Sequence, residues 1–219
     1  MAPALPIIFM HGWAFDPTVW EQTRAALGPM ETRCLDFGFF SPRADLDLPA
    51  RPYVGVGHSL GALWLLRHHG PHCRGLLLIN GFSRFGAGPD FADGISPRII
   101  ARMRTGLRHA PEGMLRTFRQ RAGIDTPVPP HIACDRLEQG LAALMDMDCR
   151  PDLRHAPCPV NVMAGTHDAI APPGLTRACF PPHGPVPTRW LDAGHLLPLT
   201  HAADCARAIT DLTRRIPPP

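Results

Sequence analysis

Six short apolar runs, each bounded by glycine, proline or charged residues, recur along the chain and alternate with stretches of helical period. They lie near Pro6 to Met10, Thr32 to Asp36, Tyr53 to Val56, Gly75 to Ile79, Val160 to Ala164 and Thr188 to Leu191. Continuous apolar runs of this length suit strands buried on both faces. Their alternation with helices predicts β-α-β units joined into a mostly parallel sheet, the α/β class. The first helix takes Asp16 as its N-cap and Pro17 as its first residue, then runs through Trp20 and Ala25 to end near Gly28. Further helices are predicted over Leu60 to His69 and Ala203 to Arg215, with the last three prolines as a frayed tail.

Residues 82 to 146 break this rhythm. Two amphipathic stretches lie there, one placing Ile95, Ile99, Met103 and Leu107 on an apolar face and one with Met114, Leu115 and Phe118. Open α/β sheets bind ligands beyond the C-terminal ends of their strands, so an insertion between two strands reads as a short helical lid over that edge. The alternative is that these helices only cover core.

Length and composition then narrow the class. At 219 residues the chain suits one α/β domain, and its 45% apolar and 19% charged residues are those of a folded globular protein. The net charge is +3, every one of the 22 basic residues being arginine. No basic stripe dense enough for nucleic acid runs through the whole chain. The seven cysteines form no Cys-x-x-Cys pair and are odd in number, which points away from a disulfide framework or zinc site and towards a reducing cytoplasm. No apolar stretch approaches the roughly 20 residues a bilayer needs, and the N-terminus lacks the basic start of an export signal.

The chemistry is most legible at Gly57-His58-Ser59-Leu60-Gly61, which follows an apolar strand and opens a helix. That context is the one G-x-S-x-G requires, because the serine occupies a strained strand-to-helix turn that only small neighbours tolerate. Serine is a poor nucleophile near neutral pH and needs a base within hydrogen-bond reach. His195, in Asp192-Ala193-Gly194-His195, follows the last strand and is the candidate. His58 points elsewhere from the turn, and His11 reads as a structural loop residue. Asp168, after the fifth strand, completes the chain order Ser, Asp, His and would orient His195. Asp192 is the rival for that role. The developing oxyanion would take the backbone N–H groups of Leu60 and Trp13, and Trp13 with Ile95, Ile99 and Met103 would wall the substrate pocket.

The order His11-Gly12-Trp13, Gly57 to Gly61, Gly165-Thr166-His167-Asp168 and Gly194-His195 resembles the α/β-hydrolase superfamily over nearly the whole chain. Within it, His11-Gly12-Trp13 with Val19-Trp20, Gly94-Ile95-Ser96-Pro97 and the Gly140-Leu141 to Asp148 segment resemble pimeloyl-acyl-carrier-protein methyl ester esterases of biotin synthesis. The resemblance implies a cytoplasmic serine carboxylesterase with no metal or organic cofactor, acting on a medium-length acyl methyl ester. A broader carboxylesterase or thioesterase would use the same three residues, and a signal-binding receptor could retain them on the same fold. A dehalogenase or epoxide hydrolase would need a carboxylate at Ser59. Three departures from that family are expected: no two-strand hairpin before the first strand, a Pro- and Asp-rich loop where a helix usually follows Asp36, and a short lid.

Residues 98 to 121 hold seven arginines against Glu112 alone, a local +6 that leaves −3 for the rest of the chain. Helical spacing puts Arg98 and Arg102 one turn apart, opposite the apolar face. With Arg108 they would form an outward basic patch beside the pocket mouth for an acidic acyl carrier protein, unless they are simply a solvated helix face.

Overall fold

The computed structural model describes residues 5–217, so the start of the chain and the last two prolines of the expected tail lie outside the described residues. Strands β1 (Ile7–Met10), β2 (Thr32–Leu35), β3 (Tyr53–His58), β4 (Cys73–Ile79), β5 (Val160–Gly165) and β6 (Thr188–Leu191) form one sheet in the order β2-β1-β3-β4-β5-β6. Every pairing is parallel. All six strands match the expected runs to within two residues at either end. The register sets Met10 beside Gly57, His58 beside Ile79 and Ile79 beside Met163. The loops carrying Gly12, Ser59, Asn80, Asp168 and His195 therefore leave one edge of the sheet together.

Side chains alternate across the strands, so each face has its own core. Ile7, Phe9, Val54 and Val56 pack on one side with Trp20, Ile209 and Leu212, from the segments around α1 (Glu21–Leu27) and α9 (Ala202–Arg215). Ile8, Met10, Leu76 and Leu78 face the other side, against α2 (Leu60–His68) and the insertion after β4. Helix α2 buries Leu60, Leu63, Leu65 and Leu66, each worth about 1.5–3 kcal/mol of transfer free energy.

The insertion holds α3 (Pro97–His109), α4 (Pro111–Ala122) and α5 (Cys134–Asp146), followed by α6 (Arg150–Arg154). Its base is tied down by Arg84 and Arg150, which share Asp90 and Asp148 and both stack on the buried Phe91 ring, at 5.7 and 5.3 Å. Two further short helices, α7 (Pro173–Cys179) and α8 (Leu197–Thr200), complete the chain. No helix of the described residues is long and apolar enough to cross a membrane.

The first helix divides in two. Asp16 caps it as expected, accepting from the Thr18 N–H at 2.9 Å, but Pro17–Trp20 is a 3₁₀ turn and α1 begins only at Glu21. The segment from Asp36 to Pro52 has no helix; Asp36 and Asp45 exchange main-chain hydrogen bonds of 2.8 Å and close it as a loop.

Helix α2 can lie against β1 because residue 61 has no side chain: a Cβ there would overlap the carbonyl oxygens of Met10 and His11, both main-chain atoms that cannot turn away. Gly61→Ala should accordingly lower the urea-unfolding free energy by about 3 kcal/mol or more. Gly113→Ala, in α4 with nothing within 4 Å of its Cβ position, should instead raise it by about 0.5 kcal/mol. Equal responses at the two positions would contradict this packing.

Candidate active site

Ser59 sits in the turn between β3 and α2 at φ 54°, in the left-handed region that a residue with a Cβ adopts only under constraint. Its N–H donates to Ile79 O at 3.0 Å, fastening the turn to β4. The loop after β1 abuts it, since a Cβ on Gly12 would stand 3.0 Å from Ser59 Cβ and 2.8 Å from His58 Nδ1. This brings Trp13 beside Ser59, and Leu60 opens α2, where the first N–H groups have no partner inside the helix.

His195 is buried, and its Nδ1 lies 2.8 Å from Asp168 Oδ2. Donation from Nδ1–H to a carboxylate leaves Nε2 as the basic nitrogen. That Nε2 is buried with no partner among the described residues. Asp168 accepts two more bonds on Oδ1, from the N–H groups of Ile170 and Ala171, each 2.8 Å. Burial pushes the Asp168 carboxyl up, but the charge and hydrogen bond of His195 and the two N–H donors outweigh it and hold the group below its usual range. Asp192, the rival, is exposed and pairs with the exposed His167 at 2.7 Å rather than with His195.

Two buried polar residues complete this cluster, and only His58 of the two is singled out by the sequence. Asn80, buried at the end of β4 with φ 47°, donates from Nδ2 to Asp168 Oδ2 at 2.8 Å and to Gly194 O at 3.2 Å. A polar residue ending the run Gly75 to Ile79 at the ligand-binding edge was the available signal. His58 is fully buried; its Nε2 lies 2.8 Å from the His195 carbonyl oxygen, so it donates there and supports the loop of the candidate base. It does point away from Ser59, as expected. His11 is also structural, bridging Gly12 O at 2.9 Å and Asp36 Oδ1 at 3.0 Å.

A cavity of about 670 Å³ opens at Ser59 between α3 and α4. Trp13, Ile95, Ile99 and Met103, the four residues expected to wall a pocket, all line it, together with Met114, Phe118 and Ile170. Trp13 is fixed there: its indole N–H donates to Leu137 O at 2.8 Å, and its ring meets Phe118 edge-on and fills the space a Cβ on Gly140 would need.

Helix α3 corrects the single apolar face. Ile100 and Leu107 are buried and Arg104 is tied to α5 through Glu138, while Ile99, Ile100, Arg102, Met103 and Gly106 line the cavity. Arg102 is exposed and also borders the cavity, so it stands at the cavity mouth. Arg98 and Arg108 are exposed. The basic cluster is smaller than its sequence count: Arg104 pairs with Glu138, Arg116 with Glu112, and Arg119 is buried.

Against this geometry, a sequence model of the alpha/beta hydrolase family matches residues 7–208. The chain belongs to the alpha/beta hydrolase family. It is 27% identical to the pimeloyl-[acyl-carrier protein] methyl ester esterase of Xanthomonas oryzae pv. oryzae over 98% of this chain and 96% of that one. The enzyme of the same name from Aromatoleum aromaticum is 28% identical over 95% and 98%. Among solved structures, an esterase from Exiguobacterium antarcticum superposes with a TM-score of 0.82 at 15% identity, covering 98% of this chain and 93% of that one. A bromoperoxidase from Bacillus anthracis superposes at 0.79 with 16% identity over 97% and 93%, so these superpositions show a shared fold alone.

Burial disfavours the charged form of His58 and its neighbour His195 opposes it further, lowering its pKa from 6.5 to about 3. The unfolded chain thus binds one more proton than the folded one between those pH values, and stability is lost as pH falls through that window. From pH 6 to 4.5 this group should cost about 1.4 kcal/mol per pH unit. His58→Gln, which keeps a donor for the His195 carbonyl, should flatten the wild-type slope by that amount in urea unfolding. An unchanged slope would mean that His58 is not a buried neutral imidazole.

Proposed function

We propose that this protein is a serine carboxylesterase in which Ser59 is the nucleophile, His195 the base and Asp168 the residue that orients it. The reading is carried by one observation: the apolar cavity between α3 and α4 opens at Ser59, the residue held in the strained turn. Ser59 Oγ attacks the ester carbonyl carbon while its proton passes to His195 Nε2. The N–H groups of Trp13 and Leu60 receive the oxyanion. Collapse expels the alcohol, which takes the proton from His195, and a water activated by the same nitrogen then releases the acid and restores Ser59.

The acyl chain lies in the cavity, under α3 and α4 acting as a lid. Each methylene buried there contributes about 0.8 kcal/mol, which suits a medium-length chain. Relatives named for pimeloyl-acyl-carrier-protein methyl ester, spanning nearly the full length, support that ester as the substrate, and with it acyl carrier protein as the partner. Arg98 and Arg108 are the docking cations, and Arg102, on the cavity wall, meets the arm that links chain to carrier.

Turnover of a p-nitrophenyl ester tests the chemistry. Ser59→Ala should reduce kcat by about 10⁶-fold with the fold retained, and hydrolysis within tenfold of wild type would overturn the assignment. Arg98→Glu with Arg108→Glu should lower kcat/KM on a carrier-linked ester, most at low salt, and spare a small neutral ester. Equal effects on both esters would remove the carrier protein from the account.

A further inference from the structure

Arg119 is 7% exposed, an unusual place for a guanidinium. It comes from α4, on the stripe that also buries Leu115, Phe118 and Ala122. Within the described residues no carboxylate lies within ion-pair distance of it. Nη1 donates to Ala14 O at 3.0 Å, Nη2 to Thr126 Oγ1 at 2.8 Å, and the guanidinium stacks over the Phe15 ring at 5.5 Å. Burial lowers its pKa while Asp16 acts the other way, and an arginine remains charged at any working pH.

What it holds is the tight turn after β1. Phe15 N–H returns to Gly12 O at 3.3 Å, and Ala14 stands at φ 61°, a conformation that favours glycine. An alanine stays there only while its surroundings hold it. The same turn carries Trp13, which lines the cavity together with Ser59. A hydrophobic side chain would fill the Arg119 site without desolvating a charge, so packing does not account for an arginine.

We propose that Arg119 is a positioning residue for the oxyanion hole: by gripping the Ala14 carbonyl from α4 it keeps the Gly12–Phe15 turn in the form that aims the Trp13 N–H at the reacting carbonyl oxygen. The inference rests on the esterase reading above. Because Phe118, the next residue, lines the cavity, the helix that contacts the acyl chain also sets the oxyanion donor.

The test uses Arg119→Ala, Arg119→Lys and Thr126→Val in the full chain, with active sites counted by a fluorophosphonate so that unfolded protein does not register. A misaimed oxyanion donor should lower kcat of Arg119→Ala on a p-nitrophenyl ester by about 10- to 100-fold with KM little changed. Affinity for a trifluoromethyl ketone, which forms the tetrahedral oxyanion on Ser59, should fall by the same factor while affinity for the product acid is kept. Added methylguanidinium should restore part of the lost kcat. Arg119→Lys, able to reach one acceptor but not bridge two, should fall between wild type and alanine, and it carries the same readouts if the alanine variant does not fold. Thr126→Val should show a smaller loss of the same kind. Unchanged kcat, a change in KM alone, or equal weakening of ketone and acid would overturn the proposal. Activity persisting in Ser59→Ala would instead overturn the esterase reading beneath it.

Discussion

The turn between β3 and α2 holds a serine at φ 54°, and most of the surrounding structure can be read as what that conformation requires. A left-handed residue with a side chain is unstable alone and persists where hydrogen bonds and packing fix it on all sides. Here Ser59 N–H is bound to β4, Gly61 lets α2 press on the end of β1, and Gly12 lets the next loop close over the serine. The result lifts Oγ clear of the sheet edge at the start of a helix, where the partial positive charge of unpaired N–H groups favours a developing anion.

Around that turn lies a buried hydrogen-bonded arrangement centred on the Asp168 carboxylate. The Asp168 carboxylate is withdrawn from water, which alone would favour its neutral form, yet four hydrogen bonds converge on its two oxygens. That keeps it an anion and commits the His195 proton to Nδ1. Asn80 and His58 act one step further out, the first on Asp168 and the Gly194 carbonyl, the second on the His195 carbonyl. Nε2 of His195, like Nδ1 of His58, has no hydrogen-bond partner among the described residues.

Local signals made much of this legible before any coordinates. The six apolar runs, the G-x-S-x-G between strand and helix, and the Ser, Asp, His order depend on spacing within a few residues of sequence. Asp16 and Pro17 likewise marked a helix start, though not that its first turn would wind as 3₁₀. Contacts between distant segments were not legible. The apolar period of α3 could not reveal that Ile100 and Leu107 are its buried residues while Ile99 stays exposed on the cavity wall. Seven arginines on residues 98 to 121 read as one field, but Glu138 lies in another helix and Ala14 is 105 residues from its guanidinium partner. Arg119 fell on the buried stripe of α4 by simple 3.6-residue spacing, and the charge itself obscured that signal.

The account stands on Ser59 being the one activated hydroxyl of the chain. The most direct measurement is intact-mass and peptide mapping after reaction with a fluorophosphonate, which forms a stable bond only with a serine that has a working base and oxyanion site. The proposed mechanism predicts a single adduct per chain, mapped to Ser59 and slowed strongly when Asp168 is changed to Asn. No adduct, or an adduct on any other residue, would contradict it.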